Sequence, residues 1–221
     1  MIVFDIETGP QPTEQIRDRM PAFEAPSTWK DPAKIEAHLM QKRLDWIADA
    51  ALDATTGQIL AIGVLNTTTG DMRVLAGDER DIISAFVGVV MHVGGTGVPL
   101  VGWNIFGFDL PFIVRRAWIL GVPMPQWIRV GRYWDRCFVD LMESWALGNK
   151  EQRVSLDLAA QSLGVGRKSG HGADFASHWN GTDEERAHAL AYLENDLRLT
   201  AAVAARIMPA DASAALSKEA A

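Results

Sequence analysis

Two carboxylates stand two residues apart in the apolar opening segment Ile2-Val3-Phe4-Asp5-Ile6-Glu7, and any fold that buries this segment must answer for them. The β-branched run predicts a strand over residues 2–6, ended by Gly9-Pro10 and Pro12. Side chains alternate along a strand, so Asp5 and Glu7 share one face. Unpaired charge on a buried face is costly, and a bound cation is the simplest compensation.

The rest of the chain alternates strand and helix signals. Residues up to about Lys30 read as irregular. Asp31-Pro32 caps and opens a helix whose apolar positions Ile35, Leu39, Trp46 and Ala50 recur at helical spacing. Ile59 to Leu65 and Met72 to Leu75, joined by Asn66-Thr67-Thr68-Thr69-Gly70, form a predicted antiparallel hairpin. A helix over 81–92, a strand over 99–103 and a helix from Asp109 to Leu120 follow, the last stopped by Gly121 and Pro123. Val139 to Leu141 closes a further short strand. Ser155 caps a short helix ending at Gly164, and Thr182 to Glu185 is a capping box for a long final helix reaching Ile207. The expectation is an α/β fold: one domain over residues 1–208, a mixed sheet covered by helices, with a flexible tail from 209 to 221.

Composition narrows the setting. Nearly half of the 221 residues are apolar, enough for a sizeable core. The single cysteine, Cys137, excludes an internal disulfide and reads as a small buried hydrophobe. No secretory leader pattern and no apolar run of ~20 residues is present, so no membrane is involved and a cytoplasmic location is expected. The formal net charge of −7 speaks against a broad nucleic-acid footprint. That objection weakens if several acids converge on divalent ions, each of which cancels two charges locally.

Two more acids have the right setting. Asp109 follows Trp103-Asn104-Ile105-Phe106-Gly107-Phe108, a strand end, a glycine-containing turn and a helix start, where an ordinary helix cap is the competing reading. Asp196 lies in the final helix with Tyr192 four residues earlier, so phenol and carboxylate share a helical face. Alone, that pair also fits exposed helix decoration. Together the four carboxylates make a hard-oxygen set suited to Mg²⁺ or Mn²⁺, without the Cys and His that zinc usually takes. Two such ions, roughly 3.5–4 Å apart, can clamp an in-line displacement at phosphorus.

These residues resemble the DEDD exonuclease superfamily. Phe4-Asp5-Ile6-Glu7-Thr8 is similar to its first motif, Asn104 to Asp109 to its second, and Tyr192-x-x-x-Asp196 to its third. Ala191 stands where the histidine subclass would carry its histidine, so the resemblance is to the tyrosine subclass, DEDDy. Within it the chain is most similar to a predicted exonuclease family related to the proofreading domain of B-family DNA polymerases. The resemblance implies a ribonuclease-H-like mixed sheet flanked by helices and removal of nucleoside monophosphates from a 3′ end. It further implies Asp5, Glu7, Asp109 and Asp196 as ligands of two divalent ions, Asp5 bridging them. Tyr192 would orient the attacking water, its ordinary pKa near 10 making it a poor unassisted base. The expected partner is the 3′ end of a single strand, DNA first and RNA as an alternative, with any polymerase or repair partner left open.

Substrate contacts are read from chemistry alone. Phe106 and Phe108 flank Gly107 and could stack on a terminal base, core packing being the competing role. Asn104 could touch substrate or brace the turn. Gly164-Val165-Gly166-Arg167-Lys168-Ser169-Gly170 is a basic loop without the spacing of a nucleotide-binding loop. Arg167 and Lys168 could contact phosphates or simply be solvated. Arg115-Arg116, Arg129 and Arg132 share that ambiguity. Trp103, Trp118 and Trp145 read as core, and His188 as helix surface. The competing functions are a catalytically idle nucleic-acid-binding module of the same fold and an endonuclease.

Overall fold

The computed structural model describes residues 1–126 and 137–208. Arg129, Arg132 and the expected tail lie outside the described residues. Five strands form one sheet in the order β3-β2-β1-β4-β5, where β1 is Ile2–Pro10, β2 Gly57–Asn66, β3 Met72–Ala76, β4 Leu100–Gly102 and β5 Phe138–Asp140. The strand that opens the chain therefore occupies the centre. It pairs antiparallel with β2 and parallel with β4, and β4 pairs parallel with β5. The hairpin of β2 and β3 is antiparallel, as expected. β1 extends beyond the predicted residues 2–6 and ends at Pro10, within the anticipated Gly9-Pro10 stop, with a register irregularity between Glu7 and Thr8 after which the pairing resumes.

Alternation splits the sheet into two apolar faces. Ile2, Phe4 and Ile6 face one core with Ile62, Val64 and Leu100. Against it pack α3 (Glu79–Val93) and α4 (Asp109–Leu120). Val3 faces the other core with Ala61, Leu65 and Val101. That face is covered by α5 (Leu141–Ala146), α6 (Leu156–Ser162), α7 (Phe175–Trp179) and α8 (Asp183–Ile207). By period two, Asp5 and Glu7 belong with Val3 and so face α8.

The caps behave as their residues dictate. Asp31 accepts from Ala33 N at 3.0 Å to start α2 (Pro32–Asp49). Thr182 and Glu185 exchange both bonds of the capping box at 2.7 and 3.3 Å. Helix α2 is an outlier, with none of its residues fully buried.

Several expectations need correction. A short helix, α1 (Thr13–Ile16), interrupts the stretch expected to be irregular, because Ile16 is fully buried. Trp118 is 64% exposed rather than core. Trp103 and Trp145 are half-buried. Arg116 is not an available surface cation, since its guanidinium is buried against Glu79 at 2.6 Å and also donates to Ala54 O at 3.0 Å. Among the described residues, no helix is long and apolar enough to cross a membrane.

Candidate active site

Helix α8 crosses the sheet where β2 carries Gly63, the register partner of Asp5. A Cβ at Gly63 would lie 2.6 Å from Leu197 Cδ1 and 3.0 Å from Leu193 Cδ1. The missing side chain lets α8 settle close enough to present Asp196 to β1. Carboxylate oxygens of Asp5, Glu7 and Asp196 all fall within 4.8 Å of one another. Acids 189 residues apart in sequence thus meet because strand and helix each aim one face at the same place.

Asp109 joins them from the opposite side of β1. It opens α4, yet it does not act as the helix cap, which the competing reading required: the preceding position is Phe108, and no side chain caps that terminus. The Asp109 carboxylate instead accepts from Ile6 N at 3.1 Å and lies in hydrogen-bonding contact with Asp5. Glu7, Asp109 and Asp196 are 7%, 3% and 2% exposed.

Burial and mutual repulsion act together on the group. Burial, then the Asp196 charge, pushes Asp5 up to about 7, with Lys168 opposing. Glu7 is raised by burial and by Asp5 and Asp196. Asp109 is raised by burial and by Asp5, and Asp196 by burial against the pull of Lys168. Four carboxyl groups held this way call for positive charge. One source is present in the chain: Lys168 Nζ lies 2.5 Å from Asp196 Oδ2 and 5.1 Å from the centre of the Tyr192 ring. Asp157 accepts from Lys168 N at 2.8 Å and Asn195 from Ser169 N at 3.2 Å, which turns the basic loop inward. Of the two residues expected either to contact phosphates or to be solvated, Lys168 places its ammonium beside Asp196, while Arg167 is exposed.

Lysine alone does not satisfy the site. Asp196 Oδ1 is buried with no hydrogen-bond partner among the described residues. An orphaned carboxylate oxygen beside two further acids is a fitting donor set for a hard cation.

The acids floor a cleft of about 740 Å³, the size of a nucleotide-scale pocket. Its walls include Phe108, Tyr192, Lys168 and, from the far side, Ala48 and Leu52. The Tyr192 hydroxyl is raised well above its ordinary value by burial and then by Asp196 and Glu7, so the phenol keeps its proton. Gly170 and Gly172 pass directly over its ring and hydroxyl, where a Cβ would lie 3.2 and 3.5 Å away. Phe106 stays outside the cleft lining and packs against the core beneath α3 and α4. Asn104 braces the turn: it adopts a left-handed φ of 60°, and its carbonyl accepts from Gly107 N and Phe108 N at 3.0 Å each. A Cβ on Gly107 would strike Asn104 Oδ1 at 2.3 Å. Sequence reasoning missed Asp140, which supports this turn; an acid ending a three-residue strand offers only the signal of a helix cap.

None of the curated proteins searched matches the chain. Among solved structures, the family B DNA polymerase from the hyperthermophilic archaeon Pyrobaculum calidifontis is similar, with a TM-score of 0.62 and 23% identity over 94% of this chain. The chain spans 24% of that polymerase, and the likeness bears out the ribonuclease-H-like mixed sheet. A family profile matches residues 50–218, which include Asp109, Tyr192 and Asp196 but not the first strand. The chain therefore belongs to the family described as a predicted 3′–5′ exonuclease related to the exonuclease domain of PolB.

Proposed function

We propose that residues 1–208 act as one exonuclease domain of the tyrosine subclass, removing nucleoside monophosphates from the 3′ end of single-stranded nucleic acid, DNA in the first place. The observation that carries this reading is the meeting of Asp5, Glu7 and Asp196 within 4.8 Å on the floor of a nucleotide-sized cleft. Asp5, Glu7, Asp109 and Asp196 would hold two divalent ions, Mg²⁺ or Mn²⁺. When bound, such ions supply a hydroxide nucleophile and stabilise charge on the leaving 3′ oxygen.

The chain's own groups do the positioning. Tyr192 keeps its proton and orients the attacking water through its hydroxyl, since its raised pKa removes it as a base. Phe108 lines the cleft beside Asp5 and supplies a face for the terminal base. Lys168 reaches the scissile phosphate once Asp196 is otherwise engaged, and exposed Arg167 meets the strand further along. Asn104 serves substrate through the turn it braces.

The test is metal-dependent shortening of a 5′-labelled single strand, run on DNA and RNA, with circular single-stranded DNA as control. A ladder shrinking from the 3′ end with Mn²⁺ or Mg²⁺, and an intact circle, is the expected result. Cleavage of the circle would indicate an endonuclease. No release from folded protein with either metal would leave an idle binding module.

A further inference from the structure

Asp140 ends β5 as the register partner of Gly102, and the residue is 2% exposed. Four backbone amides from two segments converge on it. Oδ1 accepts from Asn104 N at 3.0 Å, from Met142 N at 2.9 Å and from Glu143 N at 3.4 Å; Oδ2 accepts from Phe106 N at 2.8 Å. The bonds to Met142 and Glu143 make an ordinary cap for α5. The bonds to Asn104 and Phe106 do something else. They cross 34 to 36 positions of sequence and clamp the start of the turn that delivers Phe108 and Asp109.

That turn needs outside support. Asn104 holds a left-handed backbone at φ 60°, a conformation that a residue with a side chain keeps only where its surroundings hold it. Its amide and that of Phe106 point inward, where only an acceptor can satisfy them. The turn then runs through Gly107 and Phe108 to Asp109, whose carboxylate reaches Ile6 N and Asp5. A shift of the turn is therefore a shift of Asp109 relative to β1.

We propose that Asp140 is a positioning residue of this active site, holding the Asn104–Phe108 turn so that Asp109 and Phe108 stand where the cation and the terminal base require them. The inference rests on the exonuclease reading for its role, and on the four amide bonds for its geometry. Outer partners that orient metal ligands are worth 10–100-fold in affinity or activity.

The experiment uses the full chain and its Asp140→Asn variant, whose amide can accept at one oxygen only. Mn²⁺ affinity measured by calorimetry without nucleic acid should weaken by about tenfold or more. kcat on a single strand should fall by a similar factor with KM little changed, and raising Mn²⁺ should restore part of it. A variant with a lower Tm but wild-type Mn²⁺ affinity and metal dependence would overturn the proposal, leaving Asp140 a structural cap. If the wild-type chain binds Mn²⁺ but cleaves nothing, the exonuclease reading fails while the affinity comparison still judges Asp140. Should the variant not fold, hydrogen exchange on the wild-type chain decides the geometry: the Asn104 and Phe106 amides should exchange as slowly as Met142, and fast exchange there would sink the clamp.

Discussion

Asp5 stands between the acids of the site, close to Glu7 and Asp196 and in hydrogen-bonding contact with Asp109. Its pKa rises from 3.8 to about 7, first through burial and then through the Asp196 charge. Between those values the folded, ion-free chain holds a proton at Asp5 that the unfolded chain has lost. The contribution of Asp5 to stability is therefore fully present below about pH 4 and is lost as pH climbs through about 7. Thermal melts in chelator at pH 5 and pH 7.5 should show the lower Tm at 7.5. Asp5→Asn should flatten that slope and raise the ion-free Tm at neutral pH while cutting cleavage by at least roughly 10²–10³-fold, several kcal/mol of barrier. Tyr192→Phe keeps the ring beneath Gly170 and removes only the hydroxyl. Turnover should drop by about 10²-fold while Mn²⁺ binding by calorimetry is unchanged; equal turnover would remove the phenol from the mechanism. That Asp5 and Glu7 share a face, and Tyr192 and Asp196 another, is legible from strand and helix periods; Asp109, at a turn-to-helix junction, has no such period and reads equally as a helix cap. Lys168 and Asp140 were not legible, since a loop lysine and a strand-end aspartate look the same in sequence whether they face solvent or a buried carboxylate.

Elements place these residues by contact rather than by propensity. The long helices show in the sequence through their caps, where Asp31, Thr182 and Glu185 do what their types allow, and the hairpin strands through apolar runs on either side of the Asn66–Gly70 turn. Of the short helices, α6 shows through its Ser155 cap, while α1, α5 and α7 do not. α5 and α7 have six and five residues, too few turns for an apolar period to declare itself. Trp118 fits an apolar pattern yet faces out, because α4 buries its opposite side through Phe112, Ile113 and Ala117. The contact of α8 with β2 at Gly63 makes its own prediction. Gly63→Ala forces a methyl against Leu197 and Leu193, an overpacking cost of about 1–3 kcal/mol read from denaturant unfolding. The helix must lift to relieve it, and Asp196 lifts with it. Turnover and Mn²⁺ affinity should fall together; a variant with lost stability but unchanged affinity would show that α8 does not set the Asp196 position.

At the scale of the molecule, the net charge of −7 is compatible with the proposed nucleic-acid substrate, because three of the acids meet at one point where divalent ions would offset them. Divalent ions bound there should stabilise the fold by mass action, about 2.7 kcal/mol at a hundredfold excess over Kd. The Tm gain with Mn²⁺ should be largest near neutral pH, where protons no longer compensate the acids. The family profile begins at residue 50, beyond the strand that supplies Asp5 and Glu7. That strand is also the middle of the sheet, with β2 on one side and β4 on the other. A fragment of residues 50–208 would thus lose more than two ligands. It would be left with two half-sheets, each baring a row of unpaired amides and carbonyls, and such edges invite pairing between chains. Expressed alone, it should assemble into insoluble material, and adding back a peptide of residues 1–11 should rescue it by supplying the missing seam.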